Sequence, residues 1–329
     1  MVLYHEGCND GCMAAAVIAY YCELMGWPDP AFDSVNYGKP LPPQALRGGD
    51  YLLFVDFCPE REQYDLLCSR WGQCQVFDHH KSRKWIGDIP GNVWREDRSG
   101  AGIAWECTFQ PALDNGWNFK VGVNVAHWLV LYVEDRDLWK FELGDTRDVT
   151  AYLNSVRDIA RYRDPVRAVH GFAMMFKRSE QWLFNVAIRD GSNIRRGQEI
   201  ARDSSAKYAF VGRLNLFGPM SAKRLPFSLG GAHWKTAVFC NSSSQASDLA
   251  HELLDKFQQA ELAVIFWYVD PATVQLSFRS RPGTEHALEA ASVFRGGGHA
   301  AAAGARISSS DFTFLLGSIV VDRQDQEEL

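Results

Sequence analysis

The chain has 329 residues, 47% of them hydrophobic, and a formal net charge of -6. That length and apolar content suffice for two domains with sizeable cores, while the negative charge excludes the continuous basic surface that gripping long duplex DNA by phosphate neutralisation requires. No apolar run approaches the roughly 20 residues that cross a bilayer, and Met1–Glu6 lacks the basic start and long apolar region of a signal peptide. A soluble, cytoplasmic protein with no membrane partner is therefore expected. Its cysteines are scattered without a paired Cys-x-x-Cys zinc signature and read as reduced core residues.

In chain order, Val2–Tyr4 is a short strand running into His5, with Cys8, Asp10 and Gly11 ahead of a helix predicted over Cys12–Met25. The strand Tyr51–Val55 runs into Asp56, a helix is predicted over Arg61–Arg70, and the strand-like Val76–Phe77 ends in Asp78, His79 and His80. Helices are then expected over Ala101–Phe109, over Phe119–Phe141 as a buried segment carrying an acidic cluster, and over Thr150–Arg163 as an amphipathic connection. This alternation is the pattern of an α/β fold with a Rossmann-like parallel sheet. The polar stretch Ile188–Gly197 reads as a turn, followed by a helix over Gln198–Tyr208. Strands over Thr236–Cys240, Leu262–Val269 and Val274–Arg279, with a helix over Ser247–Gln259, predict a smaller second α/β domain. The expected division is 1–187 for the first domain, 188–229 for a linker helix region and 230–329 for the second, with a cleft between the two domains and a charged tail over Asp322–Leu329.

Three of the predicted strands end in metal-type residues: His5, Asp56, and the run Asp78-His79-His80. In an open parallel α/β sheet, ligands bind in the crevice beyond the carboxyl ends of the strands, so these residues are expected to meet in space. A fourth acidic site lies in Glu134-Asp135-Arg136-Asp137. Carboxylates combined with imidazole suit Mn²⁺ or Mg²⁺ better than thiolate-preferring metals, and the histidine share tilts the choice toward manganese. A second feature is Gly296-Gly297-Gly298-His299. Consecutive glycines let backbone N–H groups approach an anion, and a helix beginning after them would aim its positive end at the same place.

The motifs His5-x-x-Cys8-x-Asp10-Gly11, Val55-Asp56, Asp78-His79-His80-Lys81-Ser82, Ser99-Gly-Ala-Gly-Ile-Ala-Trp-Glu106, Glu134-Asp135-Arg136-Asp137-Leu138-Trp139 and Gly296–His299 occur in this order across nearly the whole chain. Together they resemble the DHH phosphoesterase superfamily with its C-terminal DHH-associated domain, and most of all its oligoribonuclease branch. The resemblance implies a metal-binding catalytic first domain and a substrate-binding second domain. It implies a two-metal site in which Asp56 bridges, His5 lies on one ion, and Asp10, His79 and Asp135 surround the other. Asp78 and His80 are the implied catalytic pair, Asp78 orienting a histidine and His80 contacting the scissile phosphate or assisting the leaving oxygen. Gly296, Gly297, Gly298 and His299, with Arg279 on the preceding strand, would bind a substrate phosphate.

One position departs from that pattern. Where the family commonly carries a further aspartate, this chain has Cys8, or Asn9 if the alignment shifts by one. Cys8 is then either a thiolate ligand or a small buried residue beside a weaker first metal site. The implied activity is that of a hydrolase: a manganese-dependent phosphodiesterase and exonuclease acting on short oligonucleotides, dinucleotides upward, to give mononucleotides, as a monomer or homodimer. The alternatives are a cyclic-dinucleotide phosphodiesterase, an adenosine bisphosphate phosphatase, or a catalytically weak nucleotide-binding sensor, the last motivated by the missing aspartate.

Overall fold

The computed structural model describes residues 1–116, 123–178, 180–215, 234–243 and 245–319, and the chain divides into two units, Met1–Arg196 and Gly197–Leu329. The predicted helix start at Phe119 and the tail Asp322–Leu329 lie outside the described residues. Among the described residues no helix is long and apolar enough to cross a membrane.

The first unit is built on five parallel strands, β1 (Val2–His5), β2 (Phe32–Val35), β3 (Gly49–Val55), β4 (Trp71–Asp78) and β5 (Val93–Trp94), in the order β2-β1-β3-β4-β5. The chain leaves β1 to one side to form β2 and returns to the other side for β3. The crevice beyond the ends of β1 and β3 is therefore the topological switch point where open α/β sheets hold ligands. The edge strands β2 and β5 were not foreseen, because Phe32-Asp-Ser-Val35 and Val93-Trp94 are too short and too polar in their surroundings to carry a strand pattern.

Both faces of this sheet are covered, which is why its strands are apolar runs rather than alternating ones. Among the described residues the helices of the unit are α1 (Asn9–Leu24), α2 (Arg61–Cys68), α3 (Gly100–Asp114), α4 (Val123–Asp137), α5 (Thr146–Arg163), α6 (Pro165–Met175) and the part to Arg196 of α7 (Glu180–Ala206), whose last residues belong to the second unit. Val2, Tyr4, Leu53, Val55 and Phe77 share a core with residues of α1, α3 and α6, whereas Leu3, Leu52, Phe54 and Val76 pack with Tyr64 and Leu67 of α2. The alanines Ala14, Ala15 and Ala16 of α1 are wholly buried. Their small side chains let this helix lie deep in the unit, in contact with both α3 and α6.

The second unit has the strands β6 (Phe210–Asn215), β7 (Trp234–Asn241), β8 (Leu262–Asp270), β9 (Thr273–Ser280), β10 (Gly297–His299) and β11 (Ala302–Ser308), in the order β10-β11-β9-β8-β7-β6. Among the described residues of this unit only β7 and β8 pair in parallel, and α8 (Ala246–Lys256) lies between them in the chain. Val238, Cys240, Ala263 and Ile265 pack on Leu249, Ala250, Leu253 and Leu254 of α8. The opposite face, with Phe239, Val264, Leu276 and Phe278, is covered by α9 (His286–Val293) and α10 (Ser309–Ser318).

The structure differs from the sequence reading at the linker. The polar stretch Ile188–Gly197 is not a turn but the middle of α7, a helix of 27 residues. One stripe of that helix explains it: Leu183 and Ala187 are buried, Gly191 sits against the Asp148 carbonyl, and Arg195 pairs with the Asp148 carboxylate at 2.6 Å. Four residues spaced by four form one helical face, so the polar residues between them only decorate the other side. A Cβ on Gly191 would lie 1.9 Å from the Asp148 oxygen, whereas one on Gly197 meets nothing within 4 Å. In urea unfolding, Gly191→Ala should lose about 1–3 kcal/mol through forced separation of α5 and α7, and Gly197→Ala should gain up to about 1 kcal/mol from helix propensity. Equal effects of the two substitutions would refute this packing.

Candidate metal centre

His5 closes β1, and a short connection delivers Cys8 as the N-cap of α1, its Sγ accepting the Gly11 N–H at 3.1 Å. Asp10, in the first turn of α1, is 1% exposed. Its carboxylate accepts the backbone N–H groups of Gly100 at 2.6 Å and Ala101 at 2.9 Å, the opening turn of α3. These donors have no partner within their own helix, and the positive helix end favours a carboxylate there. Asp56 follows β3 with a φ of 55°, a left-handed conformation that aspartate tolerates better than most residues. Gly100 permits this approach, since a Cβ at that position would lie 2.4 Å from the Cβ of Asp56.

The two oxygens of Asp56 face two different groups of donors. Oδ2 lies 3.4 Å from His5 Nδ1 and 3.1 Å from Cys8 Sγ. Oδ1 lies 3.1 Å from His79 Nε2, and that nitrogen is also 3.7 Å from Asp10 Oδ2 and 3.5 Å from Asp137 Oδ2. Among the described residues, the sets His5–Cys8–Asp56, Asp56–His79–His80 and Asp10–His79–Asp137 each bring their donor atoms within 4.8 Å of one another. Asp78 stands behind them, fully buried, with Oδ1 2.7 Å from His80 Nδ1 and accepting the His79 N–H at 2.9 Å. The Trp94 indole donates to the His80 carbonyl at 3.0 Å and fixes the backbone there.

The fourth acid at this place is Asp137, and the expectation of Asp135 is corrected. Asp135 accepts the N–H groups of Glu142 at 2.8 Å and Leu143 at 3.3 Å, together with the Thr146 hydroxyl, so it ties off the connection between α4 and α5. Helical residues two apart point about 200° away from each other, so only one of the pair can face the sheet end. Arg136, between them, lies over the Trp139 and Phe141 rings at 4.0 and 5.4 Å. Glu134, also buried, accepts the Ser99 N–H at 3.0 Å and pairs with Arg98 at 2.8 Å, anchoring the start of α3 beside Asp10.

Packing these charges together shifts their ionisation. Burial, then the neighbouring carboxylates, pushes Asp10 well above the usual carboxylate range and raises Asp137. For Asp56 burial works in the same direction, but hydrogen bonds from His5 and His79 outweigh it and hold the group well below that range. His79 is driven upward in turn: burial opposes its charge, and Asp56, Asp137 and Asp10 overcome the opposition. Burial and the charges of Asp56 and Asp10 raise the Cys8 thiol, so without a cation it donates to Asp56.

A divalent cation fits this donor set. Asp137 Oδ2 is shut off from water and makes no hydrogen bond, although it points at the cluster. An unpartnered buried carboxylate oxygen is costly unless something positive completes it. His5, Cys8 and Asp56 on one side, and Asp56, Asp10, His79 and Asp137 on the other, can hold such ions.

In the second unit, His299 pairs with Ala302, Ala302 with Arg279, and Arg279 with Ala263 across neighbouring strands. Residues in one such row share a face, here the one covered by α8, and His299 and Arg279 are about 10 Å apart along it. Arg279 donates to Ser247 in the first turn of α8. The glycine-rich segment does not open a helix as predicted but forms the hairpin β10–β11, where Gly298 takes a φ of 143°. Gly296 and Gly298 thus have a structural reason in the tight hairpin, whereas a Cβ on Gly297 would meet nothing within 4 Å.

No protein-family model matches the sequence. An uncharacterized protein of Acanthamoeba polyphaga mimivirus is 24% identical over 323 residues, which cover 94% of this chain and 67% of that protein. Among solved structures, an exopolyphosphatase-related protein from Bacteroides fragilis is similar with a TM-score of 0.52 at 10% identity, over 96% of this chain and 89% of that one. A pGpG-specific phosphodiesterase from Vibrio cholerae gives a TM-score of 0.49 at 12% identity over 96% of both chains. The Bacteroides likeness shows a shared fold.

Titration of metal-stripped protein with Mn²⁺ separates the two acids of α4. Asp137→Asn should weaken binding about tenfold or more. Asp135→Asn should change affinity little but lower the thermal midpoint, because its three donors lose a charged acceptor. The reverse pattern would return Asp135 to the metal centre.

Proposed function

We propose that the chain is a metal-dependent phosphodiesterase that hydrolyses short linear oligonucleotides, dinucleotides upward, exonucleolytically to mononucleotides. The observation that carries this reading is the division of Asp56 between two donor groups at the switch point of the sheet. The ordered motifs that resemble DHH phosphoesterases support it, and the fold shared with an exopolyphosphatase-related protein fits a phosphorus-centred substrate. When bound, paired divalent cations, Mn²⁺ by the histidine and carboxylate donors, would acidify a water and offset charge on the phosphoryl oxygens.

The protein's own residues do the remaining work. Asp56 holds both donor groups in fixed relation, and the N–H groups of Gly100 and Ala101 keep the Asp10 carboxylate in place. Asp78 binds Nδ1 of His80 and thereby directs Nε2 outward as the atom that contacts the scissile phosphate or hands a proton to the leaving oxygen. Arg279 and His299 of the second unit are the candidates for engaging a further phosphate of the substrate, a contact that would tighten binding. Cys8 favours a second reading: a neutral thiol where the related pattern has a carboxylate weakens one donor group, as expected of a nucleotide-binding protein with slow turnover.

End-labelled RNA from dinucleotides upward, incubated with metal-stripped protein with and without Mn²⁺ beside a cyclic dinucleotide and an adenosine bisphosphate, tests the proposal. Mn²⁺-dependent loss of dinucleotide is expected, and Asp56→Ala should reduce it about a hundredfold or more with the fold retained. Turnover confined to another substrate would reassign the enzyme, and nucleotide binding without turnover would establish the second reading. His299→Ala should raise KM with kcat nearly unchanged; unaltered KM and kcat would remove His299 from the substrate contact.

A further inference from the structure

Tyr37 lies in the turn after β2, where its own amide donates to Asn36 Oδ1 at 2.8 Å. From the far side of β1 its ring reaches the metal centre. It meets the His5 imidazole edge-on at 5.6 Å and 65°, and the His80 imidazole at 5.6 Å and 71°. The two imidazoles meet each other edge-on at 5.3 Å and 79°, which completes a triangle of mutually perpendicular rings. Each ring in such a set limits the rotation of the other two.

The third ring is itself held. Phe57, just beyond Asp56, packs on Tyr37 at 4.7 Å with its plane tilted by 33°. The Arg83 guanidinium lies over the Tyr37 ring at 5.0 Å. Arg83 in turn is fixed by the Cys58 carbonyl at 3.1 Å and by the Glu60 carboxylate. Connections following β2, β3 and β4 therefore converge on one side chain that spans the end of β1. The Tyr37 hydroxyl is shut off from solvent with no hydrogen-bond partner, so the ring and not the oxygen makes these contacts.

We infer that Tyr37 is a positioning residue that fixes the planes of the His5 and His80 imidazoles, with Arg83 and Phe57 as its clamp. The inference rests on the proposed metal-dependent reading of the same site. An imidazole offers its lone pair in one direction only, so a ligand or proton donor needs its ring plane set from outside. Asp78 supplies part of this for His80 through Nδ1. For His5, whose side chain is 20% exposed, the Tyr37 ring is the nearer of two aromatic neighbours besides His80, at 5.6 Å, with Phe57 at 6.2 Å.

The test compares Tyr37→Phe with Tyr37→Leu in the full chain. The readouts are the imidazole resonances of the metal-free protein, Mn²⁺ affinity by calorimetry, and kcat and KM. Tyr37→Phe should match the wild type within about twofold throughout. Tyr37→Leu should shift or broaden the His5 and His80 resonances while leaving those of His170 and His286 in place, weaken Mn²⁺ binding about tenfold, and lower kcat with KM little changed. Should Tyr37→Leu fail to fold, Arg83→Met, which removes the clamp at a distance from both imidazoles, is expected to disturb the same two resonances. Leu behaving like Phe, Phe as impaired as Leu, or undisturbed resonances in Arg83→Met would each overturn the inference. The resonances and Mn²⁺ affinity decide it even if the wild type cleaves no oligonucleotide, so a wrong substrate remains distinguishable from a wrong role for Tyr37.

Discussion

Three carboxylates, Asp10, Asp56 and Asp137, stand within 3.7 Å of one imidazole nitrogen in a largely buried crevice. Like charges held so close in a medium of low polarisability repel by on the order of several kcal/mol, so each either retains a proton, as the raised Asp10 and Asp137 do more readily, or is met by positive charge. The structure supplies it in three forms. The start of α3 offers two N–H groups to Asp10, His5 and His79 stabilise Asp56, and the unpartnered oxygen of Asp137 leaves a place for a cation. A cation bound there would relieve the repulsion that raises Asp10 and Asp137.

The order of the strands makes this convergence possible. His5, Asp56 and Asp78 each end or follow a different strand of one parallel sheet, and the crossing of the chain from β2 back to β3 leaves the crevice between the first two unblocked. Helices α1, α3 and α4 then bring Asp10, the Gly100 amide and Asp137 to the same end. Because α3 sits directly on Asp56, a side chain at residue 100 has no room. Every donor lies in a strand or helix or within two residues of the end of one, which suits chemistry that depends on sub-ångström placement.

Much of this was legible in the sequence for identifiable reasons. Strand-end residues sit next to the strongest apolar runs, so His5, Asp56 and Asp78-His79-His80 stood out together, as did the βα alternation that places them. What the sequence left open depended on rotation or on the absence of a local pattern. Asp135 and Asp137 differ only in which side of one helix they occupy, and the decision falls to Glu142, Leu143 and Thr146, which claim the first. The polar middle of α7 hid a packing stripe whose members are a leucine, an alanine, a glycine and an arginine, a set without a hydrophobic period. Tyr37 follows a strand too short to predict, and its role exists only once β2, β3 and β4 are side by side. The glycine run closes a hairpin instead of opening a helix, because its pairing partner, Ala302–Gly304, is supplied by the residues that follow.

On the proposed reading, Asp56 joins two cation sites. The most direct measurement is anomalous diffraction from crystals soaked in Mn²⁺. Two peaks should flank the Asp56 carboxylate, one beside His5 and Cys8 and the other beside Asp10, His79 and Asp137. A saturating soak that places no ion against either oxygen of Asp56 would contradict that reading.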